Sequence, residues 1–264
     1  MEIPFPHALV AIDQAGEPIW QEGDLSQPFP FASVTKLLTA LGVHLAVQDG
    51  YLRLDQPAGP EGSTVAHLLA HASGLAPEGE GTRMAARVGS RRIYSNQGYE
   101  VLGEVVTAAT GDPDWTRNRL LAPLGAEGIT IAGTPAWSAV GSALDLSLVL
   151  QELLQPELLS RASWEAFRSP AFPSLRGVLP GYGTQERNLW GLGPEIRDRK
   201  HPHWTGTRAD PSTFGHFGVS GSFLWVDPTR AVGALFLGQE RFGDWHKANW
   251  PQLNDRLIEL AEAR

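Results

Sequence analysis

The stretch Leu37-Leu-Thr-Ala-Leu41-Gly-Val43-His-Leu45-Ala-Val47 constrains this chain more than any other. Apolar residues at 34, 37, 38, 41, 45 and 47 recur at helical spacing, and Gly50 stands where a left-handed residue would close the helix. The N-terminal edge reads Phe31-Ala-Ser33-Val-Thr-Lys36, which places Ser33 at or near the helix start. Residues three apart share a helix face, so the Lys36 amine can reach the Ser33 hydroxyl. A serine hydroxyl is a poor nucleophile until a base takes its proton. Lysine can act as that base if its pKa falls from about 10.4 towards 7, a differential cost of roughly 4 to 5 kcal/mol. Partial burial among these leucines would supply much of the shift. The free N–H groups of the helix start favour a developing oxyanion as well.

A simpler reading of the tetrad is a capped helix whose lysine snorkels to solvent. Composition favours the chemical one. Eighteen of the 21 basic residues are Arg, so a lysine on so apolar a helix is an unusual choice, and lysine is the one whose pKa can be tuned.

The 264 residues suffice for a full core. The hydrophobic fraction of 42% and charged fraction of 19% fit a folded chain rather than a disordered one. With a net charge of −8, the short clusters Arg83/Arg87/Arg91/Arg92 and Arg197/Arg199/Lys200 read as solvated faces, and no nucleic-acid partner is expected. The absence of cysteine excludes disulfides, thiolate chemistry and zinc–cysteine sites. The first seven residues lack a basic n-region, and no apolar run is long enough to span a bilayer. A cytoplasmic location and no membrane partner are therefore expected.

Along the chain, residues 8–12 and 17–20 form an expected β-hairpin around Asp13-Gln-Ala-Gly16. Ser63/Thr64 should cap a short helix over 65–71, followed by a polar loop to about residue 82. Tyr94 and Asn96 are expected on a loop at the entrance of a helix from Gly98 to Thr110, closed by Gly111. Further helices are expected over 112–121 and, from a capping box at Ser142, up to Gln155. After Pro170 strand-like runs take over at 188–196, 214–219, 222–226 and 231–237. A terminal helix is expected to start at Asn249-Trp-Pro251. The sum is one α+β domain over 1–264, with a sheet lobe (1–32 and 170–264) and an inserted helical lobe (33–169).

Ser33-x-x-Lys36, Tyr94-x-Asn96 and His216-x-Gly218 line up in chain order. With Leu68-Leu-Ala-His-Ala-Ser-Gly-Leu75 and Leu224-Trp-Val-Asp-Pro228, the sequence resembles the serine β-lactamase-like family of class C β-lactamases, DD-peptidases and related esterases over about residues 5–260. That resemblance implies a β-lactamase/transpeptidase-like fold: an antiparallel sheet flanked by N- and C-terminal helices, with a helical lobe inserted. It also implies roles. Ser33 would be acylated; Lys36 and Tyr94 would exchange its proton; Asn96 would hold the acyl side. The N–H groups of Ser33 and Val219, just after Gly218, would form the oxyanion hole.

The third motif departs from the family. Many members carry Lys-Thr-Gly or Lys-Ser-Gly there, where ammonium and hydroxyl hold a substrate carboxylate. Here Phe217 brings no hydroxyl, and a neutral His216 brings one donor and little charge. Thr213, Ser220 and Ser222 are the neighbours that could replace that hydroxyl. The expected activity is hydrolysis of small uncharged esters through an acyl-enzyme, without cofactor or metal. Alternatives are a β-lactamase or D-amino-acid peptidase, and a catalytically silent binding protein on the same fold. No Gly-x-Ser-x-Gly elbow or phosphate loop occurs, and the pairs His67/His71 and His201/His203 lack the further ligands of a metal site. Of the nine tryptophans, Trp190, Trp204 and Trp225 fall where an acyl pocket could use them.

Overall fold

The computed structural model describes residues 2–79 and 83–264. The expected loop after residue 75 runs into 80–82, which lie outside the described residues. Strands β1 (His7–Asp13) and β2 (Pro18–Gly23) form the expected hairpin. Short β3 (Phe29–Pro30) leads into a 3₁₀ turn, Ala32–Val34, and then α1 (Thr35–Gln48). Helices α2 (Val65–Leu69) and α3 (Asn96–Thr110) follow, then β4 (Thr130–Ile131), β5 (Ala139–Gly141), α4 (Ala143–Leu154) and α5 (Arg161–Arg168). The remainder comprises β6 (Gly177–Leu179), β7 (Gly183–Gln185), β8 (Glu195–Ile196), β9 (Phe214–Gly218), β10 (Ser222–Asp227), β11 (Val232–Gly238) and α6 (Asp244–Glu262).

The main sheet has the order β2-β1-β11-β10-β9-β8, antiparallel throughout. Strand side chains alternate between two faces, so each strand feeds two cores. Val10, Leu224, Val226, Leu235 and Leu237 join the core shared with α1 and α4. Leu9, Phe223, Trp225, Ala234 and Phe236 pack with Trp250, Leu253 and Leu257 of α6 on the other face. The first and last helices thus flank opposite faces of the sheet.

Several boundaries depart from expectation. Residues 112–121 are helical only from residue 115 on, mostly as a π-helical turn at Arg117–Leu121, instead of a full helix. The segment between residues 33 and 168, expected to be mostly helical, includes β4 and β5, which join β3 in a second small sheet. Only Glu195–Ile196 of the expected strand at 188–196 is ladder-paired, and the hairpin of β6 and β7 had no hydrophobic alternation to reveal it. Helix α6 begins at Asp244 and carries Pro251 inside it, where a helix start had been expected at Asn249-Trp-Pro251. The buried faces of Trp250, Leu253 and Leu257 outweigh the single backbone bond that proline removes.

Candidate active site

Ser33 sits on the 3₁₀ turn, two residues before the first residue of α1 rather than on the α-helix itself. Strand β9 and its turn clamp that position. The Ser220 and Ser222 hydroxyls donate to the carbonyls of Pro30 and Phe31, each at 2.7 Å. Gly218 lies so close that a Cβ there would come within 2.5 Å of the Phe31 carbonyl oxygen. Ala32 takes φ = 45°, a left-handed conformation costing an L-residue about 1 to 2 kcal/mol. The clamp maintains this strained bend, which turns Ser33 into the cleft.

Lys36 is fully buried at 0% exposure. Its ammonium nitrogen Nζ lies 3.4 Å from Ser33 Oγ, 2.6 Å from Asn96 Oδ1 and 2.8 Å from the Ala136 carbonyl. It also stands 4.8 Å from the Tyr94 ring centroid. Among the described residues no carboxylate touches it. Burial lowers its pKa to about 7, against the more distant pull of Glu78 and Glu100.

Asn96 is the first residue of α3, not part of a preceding loop, and Ser95 caps that helix by accepting from the Gly98 N–H. Its Nδ2 donates to Glu78 at 2.6 Å. With Oδ1 on Lys36 and Nδ2 on Glu78, the amide has one N–H left for a substrate.

Tyr94 is partly buried with its hydroxyl oxygen shielded from solvent, and this desolvation raises its pKa well above the usual tyrosine value, with the nearby Ser33 hydroxyl opposing the rise. Its ring packs on His71 at 4.6 Å and faces His216 at 5.7 Å and Trp190 at 5.9 Å. The His71 Nδ1 accepts from the Ser95 N–H at 3.2 Å, so this histidine braces Tyr94 from behind. Among the described residues no group of three or more His, Asp or Glu could hold a metal ion.

His216 is buried on β9, and its Nδ1–H donates to the Phe217 carbonyl at 2.7 Å. A carbonyl can only accept, so the tautomer is fixed and Nε2 carries a lone pair. The one donor expected of this neutral ring is thus spent on the carbonyl, and the remaining nitrogen can only accept. Burial, reinforced by Lys36, lowers its pKa to about 3, and the ring is neutral at physiological pH. Thr213 lies at the far end of β9 from Gly218, and the protons of Ser220 and Ser222 are committed to backbone carbonyls. None of the three supplies a free hydroxyl donor in place of Phe217. Ser33, Tyr94, His216 and Val219 line one narrow cleft of about 40 Å³ with Leu179, Pro180, Trp190, Glu195 and Phe217. Trp204 and Trp225 lie in the α6-side core instead.

Two presumed surface cations prove to be buried. Arg92 (2% exposed) donates to the carbonyls of Ala70, Ala171, Phe172 and Asn188, and so ties the loops around Tyr94 together. Lys200 (3% exposed) donates to Glu195 at 2.8 Å, and His203 donates to the same carboxylate at 2.9 Å. Charge clusters carry no periodicity that separates a solvated face from a buried staple. Glu78 and His71 also escape a sequence reading, since their roles come from contacts 18 and 24 residues away.

Comparison with known proteins agrees with this architecture. The beta-lactamase family model matches residues 10–255. The crystal structure of a beta-lactamase from Mycobacterium bovis is 42% identical, with a TM-score of 0.95 over 98% of this chain and 96% of that one. Simvastatin synthase from Aspergillus terreus, as a mutant, shares the fold at 17% identity and TM-score 0.79 (98% and 91% covered). A D-stereospecific amidohydrolase from Streptomyces does so at 18% and 0.69 (92% of each). A search of curated proteins found no match. The match to the family model over residues 10–255 and to the mycobacterial structure over 98% of the chain, on a fold that brings the Ser-x-x-Lys and Tyr-x-Asn motifs together, makes this chain a member of the beta-lactamase family of serine hydrolases.

Proposed function

We propose that this protein hydrolyses small uncharged esters through an acyl-enzyme on Ser33. Ser33 Oγ attacks the ester carbonyl and its proton passes to Lys36, which is neutral in a large fraction of molecules at pH 7. The N–H groups of Ser33 and Val219, which donate to no other described residue, receive the oxyanion. Tyr94 keeps its proton because its pKa is raised, and it donates to the departing alkoxide. The phenoxide is then reprotonated from Lys36. Water attacks the acyl-enzyme with Lys36 as base, and Ser33 Oγ regains a proton as the acid leaves. One group pushed down and one pushed up give the base and the acid their separate tasks.

The observation that carries the choice of substrate is the tautomer of His216. Where many relatives present an ammonium to a substrate carboxylate, this cleft presents a lone pair. Among the described residues the one charged group lining it is Glu195, already committed to Lys200 and His203. A carboxylate-bearing substrate would forgo charge-assisted bonds worth roughly 1.5 to 3 kcal/mol each. The test is kcat/KM for p-nitrophenyl acetate and butyrate against a chromogenic cephalosporin and a D-Ala-D-Ala peptide. The ester values are expected to be higher; a higher value for cephalosporin contradicts the proposal. β-Lactam hydrolysis is the second reading, favoured by the 42% identity to the mycobacterial beta-lactamase.

A further inference from the structure

A second cavity, larger than the Ser33 cleft, opens beside it. A pocket of about 610 Å³ lies on the other side of the Pro135–Ala136 segment, between α3 and the π-helical turn. That volume is in the range of small-molecule sites, whereas the Ser33 cleft offers about 40 Å³. Val106, Trp115 and Leu121 give it an apolar lining. Three carboxylates face it, Glu100, Glu104 and Asp114, against a single guanidinium, Arg117. Glu100 accepts from the Thr134 hydroxyl. The side chains of Glu104, Asp114 and Arg117 form no hydrogen bond or ion pair among the described residues, so the excess negative charge at the rim is uncompensated.

The cavity shares a wall with the catalytic lysine. Thr39, one turn beyond Lys36 on α1, donates to the Pro135 carbonyl at 2.7 Å, and the next carbonyl, that of Ala136, holds Lys36. Glu100 stands in the same wall.

We infer that this pocket is a second ligand site, for a small organic cation with an apolar body, separated from Lys36 by a single layer of residues. An apolar group would displace water from the tryptophan-lined interior while an ammonium remained at the acidic rim.

Isothermal titration with three probes of one shape, 4-phenylbutylammonium, 4-phenylbutanol and 4-phenylbutanoate, tests this. The ammonium is expected to bind saturably and about tenfold more tightly than the alcohol, the sum of two or three partly exposed charge interactions, and the carboxylate most weakly. The double variant Glu104→Gln/Asp114→Asn, at exposed positions, should erase the preference for the ammonium. Thr107→Trp, which fills the cavity from α3, should abolish binding with p-nitrophenyl butyrate turnover unchanged. Absence of saturable binding overturns the inference, as does equal affinity for the three probes or undiminished binding by Thr107→Trp.

Discussion

Two of this chain's three lysines are buried, and they are handled in opposite ways. Lys200 meets a carboxylate: Glu195 at 2.8 Å, itself bonded to His203 and Trp204, with the Leu189 and Ile196 carbonyls taking its other protons. Burial alone would raise the Glu195 pKa, but Lys200 and His203 outweigh it and hold the group as a carboxylate. Among the described residues Lys36 meets neutral oxygens alone, from Asn96, Ala136 and Ser33. A buried ammonium with an anion beside it keeps its proton; one solvated by dipoles alone can release it. The first fixes the segment that carries Trp190, and the second is free to do chemistry.

The comparison breaks most visibly on stability. Lys200→Met leaves Glu195 buried and unpaired and is expected to cost about 3 to 5 kcal/mol. Lys36→Met strands no charge, only the neutral oxygens of Asn96, Ala136 and Ser33, and should cost about 2 kcal/mol or less, because the desolvation of an amine is relieved at the same time. Urea denaturation of both variants checks this, and equal losses would erase the distinction.

Activity reverses the order. Lys36→Arg retains a cation that cannot act as a base, and ester turnover should fall at least about 100-fold while the fold persists by circular dichroism. Near-normal turnover would remove Lys36 from the proton path.

The smallest effect concerns the distant carboxylates. Glu78 and Glu100 favour the ammonium form of Lys36. Replacing either by Gln therefore lowers the lysine pKa further, and the acid limb of the kcat/KM profile should move to lower pH by a few tenths of a unit. Movement to higher pH would contradict the sign.

This asymmetry also marks what a sequence can reveal. The closeness of Ser33 and Lys36 was legible because three-residue spacing at a helix start is local information, and the grouping of Tyr94, Asn96, His216 and Val219 around them followed from motif order. The partner of Lys200 lies five residues away on the two-residue strand β8, too short to show periodicity, so nothing distinguished Lys200 from a solvated charge. The His216 tautomer depends on the carbonyl of its neighbour, a matter of backbone direction in β9 that composition does not encode. Strands with alternating or continuous apolar runs, β1, β9, β10 and β11, were found; short pairs such as β6 and β7, held by turns and tertiary contacts, were not.

The central claim is that Ser33 is activated by a lysine held near neutrality, and the pH dependence of Ser33 phosphonylation by a fluorophosphonate tests it without any choice of substrate. The labelling rate is expected to rise through pH about 7 and level off above it, with no adduct on Ser33→Ala by intact mass. A rate that climbs without a break to the ordinary lysine range near pH 10 would contradict the account.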